Sequence, residues 1–248
     1  EIMALGLDFS FFFQPVATGE GTTYFGWLLS GFKLTLAVGL GGWIIALIVG
    51  SVLGVMRTVP NKWISGFAAG YVELFRNIPL LVQLFFWYYV APDFLPEGVR
   101  QWLFSLNPAN VSLLTGVVGL GLFTAARVCE QVRSGINSLP KGQKNAGLAM
   151  GLTLPQTYRF VLLPVAFRVV IPPITSEFVN IFKNSAVIST VNLLELTGQG
   201  KQLIDYTAHS YESFIAVTIA YMIINIVVLT FMRWLESKTR LPGYIGGK

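Results

Sequence analysis

Long apolar stretches alternate with short polar connections along this chain, and the pattern predicts five membrane-spanning helices. They run from about Tyr24 to Met56, Ile64 to Ala91, Val111 to Gln131, Val165 to Ile188 and Phe214 to Trp234. At 1.5 Å per residue each can cross a hydrocarbon layer of ~30 Å. Lipid offers no partner to backbone polar groups, so a helix, which satisfies its own, is the expected conformation. The fold class expected is therefore an all-α membrane protein forming one transmembrane domain over residues 1–248. An odd number of spans puts the two ends on opposite sides.

One polar interruption differs from the rest. Leu139 to Pro164, between spans three and four, is too polar and too broken by Gly and Pro to cross lipid. Pro140 suits the first turn of a helix, where a missing N–H costs nothing. Lys141 to Met150 then gives about three turns, ending at Gly151 in the left-handed conformation. Thr153 and Gln156 have capping-box spacing, with Pro155 in the first turn of a second helix. Ala146, Gly147, Ala149 and Gly151 are small, which lets another protein surface approach the backbone. An ordinary surface loop fits these local signals equally well.

Composition supports the membrane reading. Hydrophobic residues make up 54% of the chain and charged ones only 12%, far from an average soluble domain. The formal charge of +5 would suggest nucleic acid in a soluble protein, but here the basic residues flank apolar spans and report topology instead. Arg57 and Lys62 follow span one. Arg133, Lys141, Lys144 and Arg159 lie between spans three and four, and Arg233, Lys238, Arg240 and Lys248 lie at or beyond the end of span five. The other side is acidic or mixed: Glu1, Asp8 and Glu20, then Asp93 and Glu97 with Arg100, then Glu195, Asp205 and Glu212 against Lys201. The N-terminus is expected outside, with residues 1–22 periplasmic, and the 139–164 loop in the cytoplasm. No signal peptide is expected, since no basic segment with a small-residue cleavage site opens the sequence. Phe9, Phe11, Phe12 and Phe13 read as an interfacial aromatic anchor.

Polar residues inside the spans are the candidate functional groups, because they are costly in lipid. In span one, Gly50 and Gly54 form a GxxxG pair for close helix contact within the subunit. In span two, Glu73 and Arg76 lie one turn apart and can neutralise each other. Pro79 should kink that helix, leaving Asn77 and Gln83 in a polar pocket. In span three, Arg127, Glu130 and Arg133 share a face. Arg127 either pairs with Glu130 and snorkels to the interface, or faces the pathway and binds a substrate carboxylate. Span four carries Glu177, Asn180, Lys183 and Asn184, the last three on one face. These form either an interhelical hydrogen-bond network or a substrate pathway. Span five, uniform apart from Asn225, is expected to be a supporting helix, and His209 a surface residue.

No catalytic or metal-binding grouping is present, with one cysteine (Cys129) and one histidine in the chain. A phosphate-binding loop is missing too: Gly200-Lys201 is followed by Gln202, where Ser or Thr is needed. The chain is not expected to be an enzyme or to hold a cofactor.

Asn145-Ala146-Gly147, Gly151 three residues on, and Val161-Leu162-Leu163-Pro164 after nine more resemble the EAA loop of ABC importer permeases. That loop reads Glu-Ala-Ala, three residues, Gly, nine residues, Ile-x-Leu-Pro. Asn145 and Gly147 depart from it. Arg76 to Gln83 resembles the Arg-Gly-Thr-Pro-Leu-Leu-Val-Gln run of polar amino-acid permeases, departing at Asn77 and Ile78. Arg127 stands where that family usually has an aromatic residue, ahead of Glu130-x-x-Arg133.

The resemblance implies a permease of a type I ABC importer for polar amino acids, in the bacterial inner membrane. It implies a second permease subunit, a cytoplasmic ATPase dimer that alone holds ATP and magnesium, and a periplasmic amino-acid-binding protein. Lys144, Asn145, Ala146, Gly147, Met150, Gly151 and Leu152 would dock the ATPase. Arg76, Asn77, Gln83, Arg127, Glu130, Asn180, Lys183 and Asn184 would line the pathway. The positive charge of Arg127 and Lys183 favours glutamate or aspartate as substrate. A secondary transporter or channel not coupled to ATP is the competing reading.

Overall fold

A computed structural model describes residues 6–239. Glu1, Arg240 and Lys248, used above for orientation, lie outside the described residues. The described residues are helical, apart from turns, short connections and one isolated bridge between Pro15 and Thr23. Ten helices follow in order: α1 (Tyr24–Met56), α2 (Lys62–Asn77), α3 (Leu80–Phe85), α4 (Glu97–Ser105), α5 (Pro108–Asn137), α6 (Lys141–Ala149), α7 (Leu154–Thr157), α8 (Leu163–Asn184), α9 (Leu196–Thr207) and α10 (Ser210–Thr239). Four stretches are long and apolar enough to cross a membrane, or five if the broken pair α2–α3 counts as one.

That break corrects the expected kink. α2 stops at Asn77, Ile78 is extended (φ −101°, ψ 129°), and α3 starts after Pro79. Proline clashes with a helical residue before it and lacks the N–H that would continue the ladder, so Ile78 leaves the helix entirely. The fourth span also starts earlier than Val165. α7, a π-helical turn over Tyr158–Leu162 and α8 run together, with Pro172 and Pro173 inside α8. α4, before α5, had no counterpart in the five-span reading.

The chain divides into two compact units, each built from three stretches. Unit one comprises Glu1–Gly42, Pro79–Leu120 and Ile181–Ile226; unit two comprises Trp43–Ile78, Gly121–Asn180 and Val227–Lys248. Their charges are opposite. Unit one holds 8 acidic residues against 4 basic, and unit two 13 basic against 4 acidic.

In unit one, Phe11 and Phe12 pack inside the protein with Val16, Tyr24, Trp27 and Leu203, while Phe13 is 76% exposed. The aromatic anchor is thus half a core element. His209 is not a free surface group either. Its ring stacks on Phe11 at 4.4 Å, and Nδ1 lies 3.4 Å from the Glu212 carboxylate. Glu195, fully buried at the N-cap of α9, ties three helices together. It accepts hydrogen bonds from Tyr221 Oη (2.5 Å), the Gly198 N–H (3.0 Å) and Thr35 Oγ1 (3.4 Å). Burial raises its carboxyl above the ordinary range, and the Tyr221, Thr197, Gly198 and Thr35 donors offset part of that rise.

In unit two, α1 and α5 meet through the glycine pair. A Cβ on Gly50 would lie 2.6 Å from Val128 Cβ and 2.8 Å from the Ala125 carbonyl oxygen; one on Gly54 would lie 2.6 Å from Val132 Cβ. Cys129 packs between Leu53, Ala68 and Val72, and Tyr71 Oη donates to the Leu122 carbonyl at 2.7 Å.

Gly50→Ala should therefore lower the stability of the purified protein by about 1–3 kcal/mol. Gly66→Ala, whose Cβ meets open space, should be neutral or stabilising. Equal thermal midpoints for the two variants in detergent would contradict the close packing. Glu195 gives a pH test. Because its folded carboxyl holds a proton more tightly than the unfolded one, its contribution to stability is fullest below about pH 4 and declines as pH rises through the folded value. Glu195→Gln should remove that decline, so its thermal midpoint should gain on the native protein between about pH 4 and 7. A constant difference over that range would count against the buried carboxyl.

Candidate functional site

Two features of unit two concentrate the polar residues. The first is a cavity of about 320 Å³ lined by Phe75, Arg76, Phe123, Arg127, Glu130, Gln131 and Glu177. α2 supplies Arg76 from its last turn, α5 supplies Phe123, Arg127, Glu130 and Gln131 at helical spacing, and α8 supplies Glu177.

The charges in it are divided unevenly. Glu130 is gripped by Arg57 at the end of α1 and by Arg133 one turn along α5, the latter at 3.3 Å. Arg127 does not pair with Glu130. Its guanidinium lies 4.7 Å from the centre of the Phe123 ring and 4.0 Å from Glu177 Oε2, and its side chain keeps 39% of its surface open. Of the two alternatives for Arg127, the snorkelling pair with Glu130 is absent, because Glu130 is already occupied by two other arginines. No ion pair joins Glu73 to Arg76 among the described residues; Arg76 turns to the cavity instead.

Three expected pathway residues, Arg76, Arg127 and Glu130, thus meet at one cavity. Asn77, Gln83, Asn180, Lys183 and Asn184 do not line it. Asn77 is exposed and Asn180 half-buried in unit two; Gln83 is buried, Asn184 half-buried and Lys183 exposed in unit one. Glu177 was noted as a polar residue of span four, but its place on the cavity wall was missed. A carboxylate inside an apolar span was the signal that could have singled it out.

The second feature is the elbow formed by α6, Gly151 and α7. α6 starts after Pro140 and ends at Gly151, with φ +85°. The Leu152 N–H reaches the Gly147 carbonyl at 3.2 Å and the Gly151 N–H the Leu148 carbonyl at 3.0 Å. This is a Schellman ending, which needs a left-handed residue at the corner. Thr153 and Gln156 form the reciprocal capping box, with Pro155 in the first turn of α7. Lys144 and Leu152 are half-buried, and Asn145, Ala146 and Gly151 exposed. Met150 is 82% exposed. Gly147 is buried: a Cβ there would come within 2.8 Å of Thr157 Cγ2, so its small size serves the fold of the elbow rather than an incoming surface. Tyr158 anchors the elbow, its hydroxyl donating to the Thr58 carbonyl at 2.8 Å beyond the end of α1.

Residues 46–241 match the family described as binding-protein-dependent transport system inner membrane component. The chain belongs to this family. It is a multi-pass permease of the bacterial inner membrane, a transport component and not an enzyme. This membership overturns the uncoupled transporter or channel reading. The permease is 53% identical over 247 residues (99% of this chain and 100% of the other) to the glutamate/aspartate import permease protein GltJ of Escherichia coli K12. It is 28% identical to the glutamate/aspartate import permease protein GltK of E. coli O157:H7, over 86% of this chain and 93% of that one. Among solved structures, an amino acid ABC transporter crystallised with histidines aligns with TM-score 0.71 at 28% identity, covering 87% of this chain and 95% of its own. The MetNI methionine ABC transporter, TM-score 0.68 at 21% identity over 88% of this chain and 96% of its own, shares the fold.

Glu130→Ala leaves Arg57 and Arg133 without their shared carboxylate. With Glu130 a quarter exposed, the expected loss is about 1–3 kcal/mol, less than for a fully buried pair. A thermal midpoint unchanged from the native protein would show that the cluster does not hold α1 to α5.

Proposed function

We propose that this permease carries an acidic amino acid, glutamate or aspartate, from the periplasm to the cytoplasm, driven by a partner ATPase. The observation that carries this reading is the end-to-end 53% identity to a glutamate/aspartate import permease. The cavity agrees with it. Arg76 and Arg127 present two guanidinium groups without a hydrogen-bonded carboxylate, the partners a dicarboxylate requires. Its volume, about 320 Å³, lies at the small end of ligand sites, which suits an amino acid.

In the same proposal the chain is one permease domain with five spans, counting α2 and α3 as a single broken span. Its N-terminus faces the periplasm, and the elbow and the basic residues flanking the spans face the cytoplasm, as the positive-inside rule favours. Glu130 completes the cavity wall, while Asn77, Gln83, Asn180, Lys183 and Asn184 belong to other parts of the pathway. The elbow, through Lys144, Asn145, Ala146, Met150, Gly151 and Leu152, with Gly147 buried beneath them to hold its shape, is the coupling helix that docks an ATPase dimer. ATP and magnesium are held by that dimer. A second permease subunit completes the channel, and a periplasmic binding protein delivers the substrate. A rigid elbow tied to α5 and α8 can turn movement of the docked ATPase into rearrangement of the cavity.

Copurification and transport test the two halves separately. Gly151→Val, which strains a left-handed corner, should reduce the ATPase recovered with the tagged permease. Arg127→Ala should leave that recovery intact and lower glutamate uptake into proteoliposomes about tenfold or more. Full uptake with Arg127→Ala would remove Arg127 from the pathway, and full recovery with Gly151→Val would remove the elbow from the ATPase interface.

A further inference from the structure

A second cavity, in unit one, has no part in the transport reading. It encloses about 290 Å³, with Trp87, Pro92, Leu95, Trp102, Leu114 and Val118 forming most of its wall. No charged side chain lines it. Apart from the two indoles, Thr115 is its one polar side chain, and that hydroxyl already donates to the Val111 carbonyl at 2.8 Å. Water needs two to four polar partners, so this space favours an apolar occupant. It is about twice as large as the ~150 Å³ cavity that takes up a benzene ring.

The setting of the cavity says what kind of apolar group reaches it. Leu114 and Val118 lie about 9 and 15 Å along α5 from Pro108, within half the thickness of a hydrocarbon layer. Both are exposed, as is Trp102, so the cavity opens on the surface of a membrane-crossing helix. α4 closes its end. At about 14 Å this helix is too short to cross lipid, and it mixes exposed Trp102 and Phe104 with polar Glu97, Arg100 and Gln101, as an interfacial helix does.

Charges gather where α4 meets the cavity. Arg100 stands one turn before Leu103, which lines the wall, on the same helix face. It is half-buried and enters no ion pair among the described residues. Asp93, next to Pro92, and Glu97 are both exposed and likewise form no ion pair; Glu97 accepts only the Gln101 amide at 3.1 Å. One cation and two carboxylates thus flank a dry slot. A phosphoethanolamine head carries the complement, a phosphate for Arg100 and an ammonium for the carboxylates, on chains that can enter the slot. A phosphoglycerol head supplies the phosphate alone. The apolar surface of a second subunit would fill the slot but bury three unpaired charges with it, at a cost in desolvation.

We propose that this corner of unit one binds a phospholipid with a phosphoethanolamine head, one acyl chain in the cavity, the phosphate on Arg100 and the ammonium toward Asp93 and Glu97. The test is native mass spectrometry of the detergent-purified permease–ATPase complex, offered equal amounts of dioleoyl phosphatidylethanolamine and dioleoyl phosphatidylglycerol. The native complex should retain the ethanolamine lipid in preference. Arg100→Ala should weaken that retention about tenfold, and Leu114→Trp, which fills the slot, should lower it as well. Asp93→Asn with Glu97→Gln should keep a lipid bound but erase the preference between heads. Glycerophosphoethanolamine, the same head without chains, should not displace the lipid. Equal retention of the two lipids by the native complex would overturn the proposal, as would retention unchanged by Arg100→Ala or displacement by the chainless head. So would a complex that retains no lipid, with the second permease covering the slot. Recovery of the ATPase with each variant confirms that the complex has assembled.

Discussion

The grip of Arg57 and Arg133 on Glu130 organises the polar chemistry of unit two. A carboxylate inside a membrane protein is tolerable only when paired, and this one is paired twice. One partner follows α1 and the other lies on α5, so the cluster fastens the same two helices that Gly50 and Gly54 bring into contact. Because Glu130 is spent there, Arg127 on the next turn up has no carboxylate of its own helix to neutralise it. It turns over Phe123 toward Glu177, and the cavity inherits a positive charge that neighbouring residues do not cancel.

The elbow depends on the same region. Tyr158 is hydrogen-bonded to Thr58, one residue after Arg57, so the helical stretch that leads into α8 is tied to the turn that follows α1. Gly135, on α5 below Arg133, would drive a Cβ to 2.1 Å from Val170 Cγ2, which brings α5 and α8 into contact on the far side. In the proposed mechanism a force on α6 reaches the cavity through these attachments. Arg127 and Glu177 sit on α5 and α8, the two helices that the elbow joins.

Much of this was legible in residue order. Pro140, Gly151, Thr153 and Gln156 specify the elbow through purely local chemistry: a proline that needs no N–H, a left-handed corner and a reciprocal cap. The apolar stretches located the spans, and the GxxxG spacing located a close contact within the subunit. What residue order left open or misplaced shares a cause. Whether Arg127 pairs with Glu130 depends on Arg57, 70 residues earlier in the chain, and no helical spacing reports that. Pro79 marks a disruption in the sequence, but a kink and a full break differ by whether Ile78 stays helical, and Ile78 is extended because proline restricts the residue before it. Phe11 and Phe12 resembled lipid anchors until Tyr24, Trp27 and Leu203 were seen to enclose them. Long-range partners, unlike caps and periodicity, carry no local signature.

A structure of the assembled transporter, with ATPase and second permease, solved with glutamate, tests the central claim most directly. The account predicts glutamate in the cavity between α2, α5 and α8, its carboxylates within ~3 Å of Arg76 and Arg127. Glutamate bound elsewhere in the permease, away from Arg76 and Arg127, would contradict it.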